Sequence, residues 1–236
     1  MEKGNIYLIP NVIGEGKVED VIPPHVISVL KEIRHFVVEN VRTARRFLRK
    51  AGFTANFDTE VEFFELNKHT HDTEIPNFLL PALSGNPMGI LSESGVPCVA
   101  DPGNVVVEMA QDMGLKVIPF VGPSSIILSL MASGFNGQNF AFIGYLPIKD
   151  NERNKKIKEI EQRILRENQT QIFIEAPYRN KKLFDALLKV CRPDLRLCVA
   201  RNITEKTEFI KTKSISDWKK SSPDINKRNT IFLLYK

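Results

Sequence analysis

The stretch Gly89-Ile90-Leu91-Ser92-Glu93-Ser94-Gly95-Val96-Pro97-Cys98-Val99-Ala100-Asp101-Pro102-Gly103 decides how the chain is read. Gly89 to Leu91 is a short apolar strand. The twelve residues after it hold two prolines, two glycines and several small side chains, which build a rigid backbone path without a core. Asp101-Pro102-Gly103 is also an ordinary turn into a helix, Val105 to Met113, that stops at Gly114. The same order of strand, loop and helix recurs on both sides. Ile6 to Ile9, His35 to Val38, Val61 to Glu65 and Lys116 to Phe120 read as strands. His25 to Ile33 follows the helix-start signal Pro23-Pro24, Thr43 to Lys50 ends at Gly52, and Thr73 to Leu83 ends at Gly85. Strands alternating with helices predict an α/β fold.

The rhythm changes after Pro119. Pro123-Ser124-Ser125 opens a helix over Ile126 to Ala132, ended by Gly134. Further strands fall at Phe140 to Tyr145, Gln171 to Glu175, Arg196 to Ala200, Glu208 to Thr212 and Thr230 to Tyr235, and the last three are spaced closely enough to pair antiparallel. Two α/β domains are expected, residues 1–119 with a mostly parallel sheet and residues 120–236 with a mixed one.

Composition bounds the function classes. With 42% hydrophobic and 26% charged residues, the 236-residue chain can bury a core, which excludes intrinsic disorder. The formal charge is +5, from 33 Lys and Arg against 28 Asp and Glu, which permits a polyanionic partner without demanding one. Cys98, Cys191 and Cys198 form no CxxC pair, and an odd count argues against a disulfide framework, so a cytoplasmic location is expected. No 18-residue apolar run or signal sequence indicates a membrane or export.

Ligands of open α/β sheets collect beyond the carboxyl ends of the strands. Pro10-Asn11-Val12-Ile13-Gly14-Glu15-Gly16 follows the first strand, but it lacks the third glycine of a dinucleotide fingerprint. The Ser92 to Gly103 loop resembles the SDAGTPLISDPG segment of the ribosomal RNA 2′-O-methyltransferase I group within the tetrapyrrole methylase superfamily. Glu39 to Leu48 (ENVRTARRFL) is similar to EDTRHTRRLL, and Val121 to Ser125 (VGPSS) to PGPSA. Gly144 to Lys149 (GYLPIK) is similar to GFLPRK, Glu175 to Arg179 (EAPYR) to EAPHR, and Val199 to Lys206 (VARNITEK) to VARELTKK. The six segments occur in the same order.

The resemblance implies a homodimeric methyltransferase using S-adenosylmethionine (SAM), with the cofactor in a cleft between the two domains and no metal. Carried over by position, the cofactor contacts are Ile9, Glu93, Val96, Ser124, Ser125, Ala176, Ala200 and Thr230. A positive sulfonium with an adenosyl group needs acceptors, a carboxylate and an apolar slot. Glu93 has the carboxylate, and Ile9, Val96 and Ala176 suit the slot. Glu93 stands where the family has aspartate, Asn40 replaces the aspartate of EDTR and so removes a charge, and the first loop diverges from PIGN.

An attacking ribose hydroxyl must lose its proton, and Glu39, beside Arg42, is the candidate base; the alternative is a surface carboxylate paired with Arg42. Arg42, Arg45, Arg46 and Arg49 recur on one helix face and suit phosphates, as Arg179 and Arg201 do at the ends of matched loops; a solvated face is the bland alternative. Lys149, Arg153, Lys155, Lys156 and Lys158 interleave with Glu152, Glu159 and Glu161 and read as such a face. His69, His71 and Asp72 lack the further ligands of a zinc site, and Trp218 reads as packing. The expected substrate is ribosomal RNA or the small ribosomal subunit. A tetrapyrrole or other small-molecule substrate, and a SAM- or RNA-binding relative without catalysis, are the competing readings.

Overall fold

The computed structural model describes residues 2–67, 69–71 and 73–236. The chain divides into two compact units, Met1–Ser124 and Ser125–Lys236. In the first, the elements run β1 (Ile6–Ile9), α1 (Val18–Val21), α2 (Pro24–Glu32), β2 (His35–Val38), α3 (Val41–Lys50), β3 (Glu62–Glu65), α4 (Ile75–Phe78), α5 (Leu80–Leu83), β4 (Met88–Leu91), α6 (Asn104–Asp112) and β5 (Val117–Pro119). All five strands are parallel, in the order β3-β2-β4-β1-β5.

A parallel sheet needs cover on both faces, and the strands are apolar throughout for that reason. Ile9, Phe36, Val38 and Leu91 pack with residues of α1, α2 and α3, whereas Ile6, Val37, Met88 and Ile90 pack with α4, α5 and α6. Gly89 of β4 is buried between strands: a Cβ there would lie 2.6 Å from Ile9 Cδ1 and 3.0 Å from the Phe36 ring. The helix stops expected at Gly52, Gly85 and Gly114 are present, each at positive φ. The helix expected over Thr73 to Leu83 is instead two single turns, because Pro76 and Pro81 lack the N–H that a continuous ladder requires.

The second unit holds α7 (Ser125–Ser133), β6 (Phe140–Tyr145), α8 (Asp150–Glu167), β7 (Thr170–Ile174), α9 (Asn180–Val190), β8 (Arg196–Arg201), β9 (Phe209–Ser214), α10 (Ile215–Trp218) and β10 (Thr230–Tyr235). Its sheet runs β6-β7-β10-β8-β9, with β6 parallel to β7 and every other pair antiparallel, so the expected mixed sheet is observed. Phe173, Val199 and Phe232 pack under α8, α9 and α10, and Ile172, Ala200 and Leu233 pack under α7. Trp218 is buried in the first of these layers, its Nε1 donating to Leu197 O at 2.8 Å. The interleaved charges of α8 pair at i,i+3, as in Lys156–Glu159 and Lys158–Glu161. No helix among the described residues is long and apolar enough to cross a membrane.

Candidate active site

Three loops at the carboxyl ends of β1, β4 and β5 meet in the first unit. Asn11, buried just after β1, donates through Nδ2 to Ser92 O (3.0 Å) and Glu93 O (3.2 Å), while its main-chain N–H donates to Gly95 O (2.9 Å). Gly122 lies so close to Pro10 that a Cβ would fall 2.1 Å from the proline Cβ, and a Cβ on Gly95 would meet Pro123 O at 3.0 Å. Side-chain-free positions therefore let these backbones close on one another. Ile9 ends β1 fully buried, Val96 is half-buried, and Ser124 leads into α7, which begins at Ser125. These loops form a cradle tied together mainly through main-chain groups.

The long loop carries three left-handed residues, Gly95 (φ 70°), Cys98 (φ 66°) and Ala100 (φ 59°), two of them strained because they bear a Cβ. Asp101 holds this path: its Oδ1 accepts from Cys98 N at 3.2 Å and from Gly103 N at 2.8 Å. The turn reading of Asp101-Pro102-Gly103 is realised in this side chain. Burial first, and then the Asp101 charge, pushes the Cys98 thiol up to about 11, so it stays protonated at neutral pH and is no nucleophile.

Three carboxyls converge here. Glu39, half-buried at the end of β2, is hydrogen-bonded to Asp101 and also feels the charge of Glu93; burial first, then Asp101 and Glu93, push its pKa up to about 7. Asp101 Oδ2 is buried without a hydrogen-bond donor among the described residues. Glu93 is exposed and accepts from Thr43 Oγ1 of α3. The partner of Glu39 is therefore Asp101, and the pairing with Arg42 read from the sequence is absent among the described ion pairs. Asn40, whose exchange removes a charge, is the N-cap of α3: its Oδ1 accepts from Arg42 N (3.0 Å) and Thr43 N (3.2 Å), a role asparagine fills as well as aspartate. Asn11 was not among the expected site residues; its signal is a polar side chain two residues past the end of an apolar strand.

The basic face of α3 borders a groove of about 720 Å³ that is also lined by Phe57. Arg45 pairs with Asp58 at 2.9 Å and lies over Phe57 and Phe63. Arg49 lies over Phe57, its Cζ 3.9 Å from the ring centroid, with Nη1 donating to Phe53 O at 2.6 Å. Arg42 and Arg46 are exposed and in none of the described ion pairs.

In the second unit the matched residues are more fully committed. Glu175, buried, accepts from Ala176 N (2.6 Å) and from Arg179 Nε (2.9 Å) and Nη2 (2.6 Å), and this pairing raises the guanidinium pKa further. Arg201 pairs with Asp224 at 3.2 Å and covers Phe209. Ala200 is buried inside a strand laddered on both sides, opposite Ile231 and Ile210, and Thr230 Oγ1 donates to Arg228 O at 3.0 Å. Asp72 lies outside the described residues.

The cradle suits the cofactor class implied by the sequence. Ile9 and Val96 are apolar, the loops meet through main-chain groups, and Glu93 is an exposed carboxylate of the kind a cationic ligand requires.

No family model matches the chain. It is 30% identical over 205 residues to a ribosomal RNA small subunit methyltransferase I of Vibrio cholerae, covering 87% of this chain and 67% of that relative. Proteins of the same name match from Pseudomonas aeruginosa, at 26% identity over 99% of this chain and 79% of the relative, and from Halalkalibacterium halodurans, at 28% over 88% and 67%. Among solved structures, the methyltransferase CobJ superposes with a TM-score of 0.63 over 99% of this chain and 94% of its own, at 16% identity, which shows a shared fold.

Proposed function

The chain belongs to the ribosomal RNA small subunit methyltransferase I family, and from that premise we propose that it methylates a ribose 2′-hydroxyl of small-subunit ribosomal RNA, with SAM as the methyl donor. The observation that carries the reading is the Glu39 carboxyl, half-buried just past β2 beside Asp101 and Glu93, with a proton affinity raised toward neutrality.

Bound SAM supplies an electrophilic methyl whose leaving group is a neutral thioether and needs no acid. The remaining work belongs to the chain's own residues. Ile9 and Val96 offer apolar side chains, Ser124 and Ser125 a turn at the start of α7, and Glu93, fixed by Thr43, a counter-charge. Ala176, Ala200 and Thr230 enter the reading only by their place in the matched segments, and Ala200 itself is fully buried in a strand paired on both sides. Glu39 takes the proton of the attacking hydroxyl. A base with pKa near the working pH combines an ionised population with useful basicity, a contribution of about 10²–10⁴ in rate. Positioning contributes the larger share, roughly 7–11 kcal/mol. Arg46 and Arg42 are uncommitted cations for phosphates, with Arg45 and Arg49 beside them; Arg179 and Arg201, already paired, act on the substrate only through their exposed edges. A homodimer is supported by exposed Ile127 and Met131, four residues apart on α7.

Glu39→Gln tests the assignment. Calorimetric SAM affinity should be retained while methyl transfer to small-subunit RNA falls at least about tenfold. Undiminished turnover would return Glu39 to a structural role.

A further inference from the structure

We propose that the groove along α3 takes an unpaired RNA segment, stacking one base on the outer face of the Arg49 guanidinium while Arg42, Arg46 and Lys50 hold the flanking phosphates. The proposal rests on the RNA reading above and names the form of RNA that the site recognises.

The guanidinium of Arg49 is a fixed plane rather than a mobile charge. Its inner face rests on Phe57 at 3.9 Å, and Nη1 is tied to Phe53 O at 2.6 Å. Phe57 is itself held, stacked on Phe53 at 5.7 Å and edge-on to Phe63 at 5.8 Å. Both ring and cation are thus held by contacts within the protein, and both line the groove. Arginine planes are established stacking surfaces for unstacked bases, which a paired helix does not present. The groove, at about 720 Å³, lies within the roughly 300–1,000 Å³ of ligand-sized clefts.

Charge selects the same occupant. Arg45 is neutralised by Asp58, so it serves the wall. Arg42, Arg46 and Lys50 are exposed and belong to none of the described ion pairs, and no carboxylate is among the residues lining the groove. These cations stand out from their unit. Of the eleven Lys and Arg in residues 1–124, five fall between Arg42 and Lys50, while that unit has sixteen Asp and Glu. A local cationic strip on an acidic body points a polyanion to this helix.

The test titrates the full chain with a fluorescent single-stranded RNA, the same oligonucleotide with abasic nucleotides, and the corresponding duplex. Wild type should bind the base-bearing single strand about tenfold or more tightly than the abasic one, the weight of one stacked base. Arg49→Lys keeps the charge and loses the plane, so it should bind the two single strands equally. Arg46→Ala should leave base discrimination intact and lower the log-log salt slope by about 0.7. Unchanged SAM calorimetry in both variants confirms a folded protein. Equal wild-type affinity for base-bearing and abasic strands, tighter binding of the duplex, or full discrimination in Arg49→Lys would overturn the proposal while leaving the methyltransferase reading in place. Wild type that binds SAM yet no RNA of any form would overturn both the proposal and the RNA reading on which it rests.

Discussion

Glu39 keeps its proton to about pH 7 because burial and two neighbouring carboxyls, Asp101 and Glu93, oppose its ionisation. Its folded-state pKa is raised above the ordinary 4.5, so the folded chain binds this proton more tightly than the unfolded one. The stabilisation is complete below about pH 4.5 and is lost progressively as pH rises through 7. Gln at this position cannot ionise and can still bond Asp101. Thermal midpoints of Glu39→Gln and wild type should therefore coincide near pH 4.5, diverge in favour of the variant up to pH 7, and run parallel above it. Parallel behaviour over the whole range would mean that Glu39 titrates normally. The same carboxyl makes turnover rise with pH through about 7 in wild type. The identity of Glu39 as a candidate was legible in the sequence, but its partner was not. Arg42 is three residues away along the chain, whereas Asp101 arrives by folding from 62 residues further on.

The loops show the same division between local and distant information. Helix stops at Gly52, Gly85 and Gly114 and the strand periods were readable because each is written in adjacent residues. The long helix α8 escaped notice as an element because eleven of its eighteen residues are charged and only Ile157, Ile160 and Ile164 mark its buried stripe. Asn11 was unreadable as a staple because its acceptors, Ser92 O and Glu93 O, lie more than eighty residues away. Asn11→Ala leaves those buried carbonyls short of a donor, a cost of about 1–3 kcal/mol. It should lower the unfolding midpoint and weaken SAM binding in calorimetry by about tenfold, since the loops after β1 and β4 lose their tie. Asp101→Ala should weaken SAM binding likewise, by releasing Cys98 and Gly103 from the carboxylate that holds two left-handed residues between them. Wild-type affinity in both variants would show that the cradle is held by its backbone contacts alone.

Over the whole molecule, the net +5 conceals a division of charge. Residues 1–124 hold eleven Lys and Arg against sixteen Asp and Glu, a balance of −5, and residues 125–236 hold twenty-two against twelve, a balance of +10. Long-range attraction of a polyanion follows net charge, whereas local gripping follows paired geometry. The second unit should therefore govern how fast and how salt-sensitively RNA associates, with α3 the one strongly cationic stretch of the first. Lys206 and Lys211 are exposed and in none of the described ion pairs, so they report that field without dismantling a structural contact. Reversing both to Glu should lower the association rate with small-subunit RNA at low salt several-fold and leave SAM affinity unchanged. The same double reversal at Lys31 and Lys116 of the acidic unit should change the rate much less. Stopped-flow measurements at several salt concentrations decide the matter: equal losses from the two pairs would mean that total charge, and not its partition between the units, drives encounter with RNA.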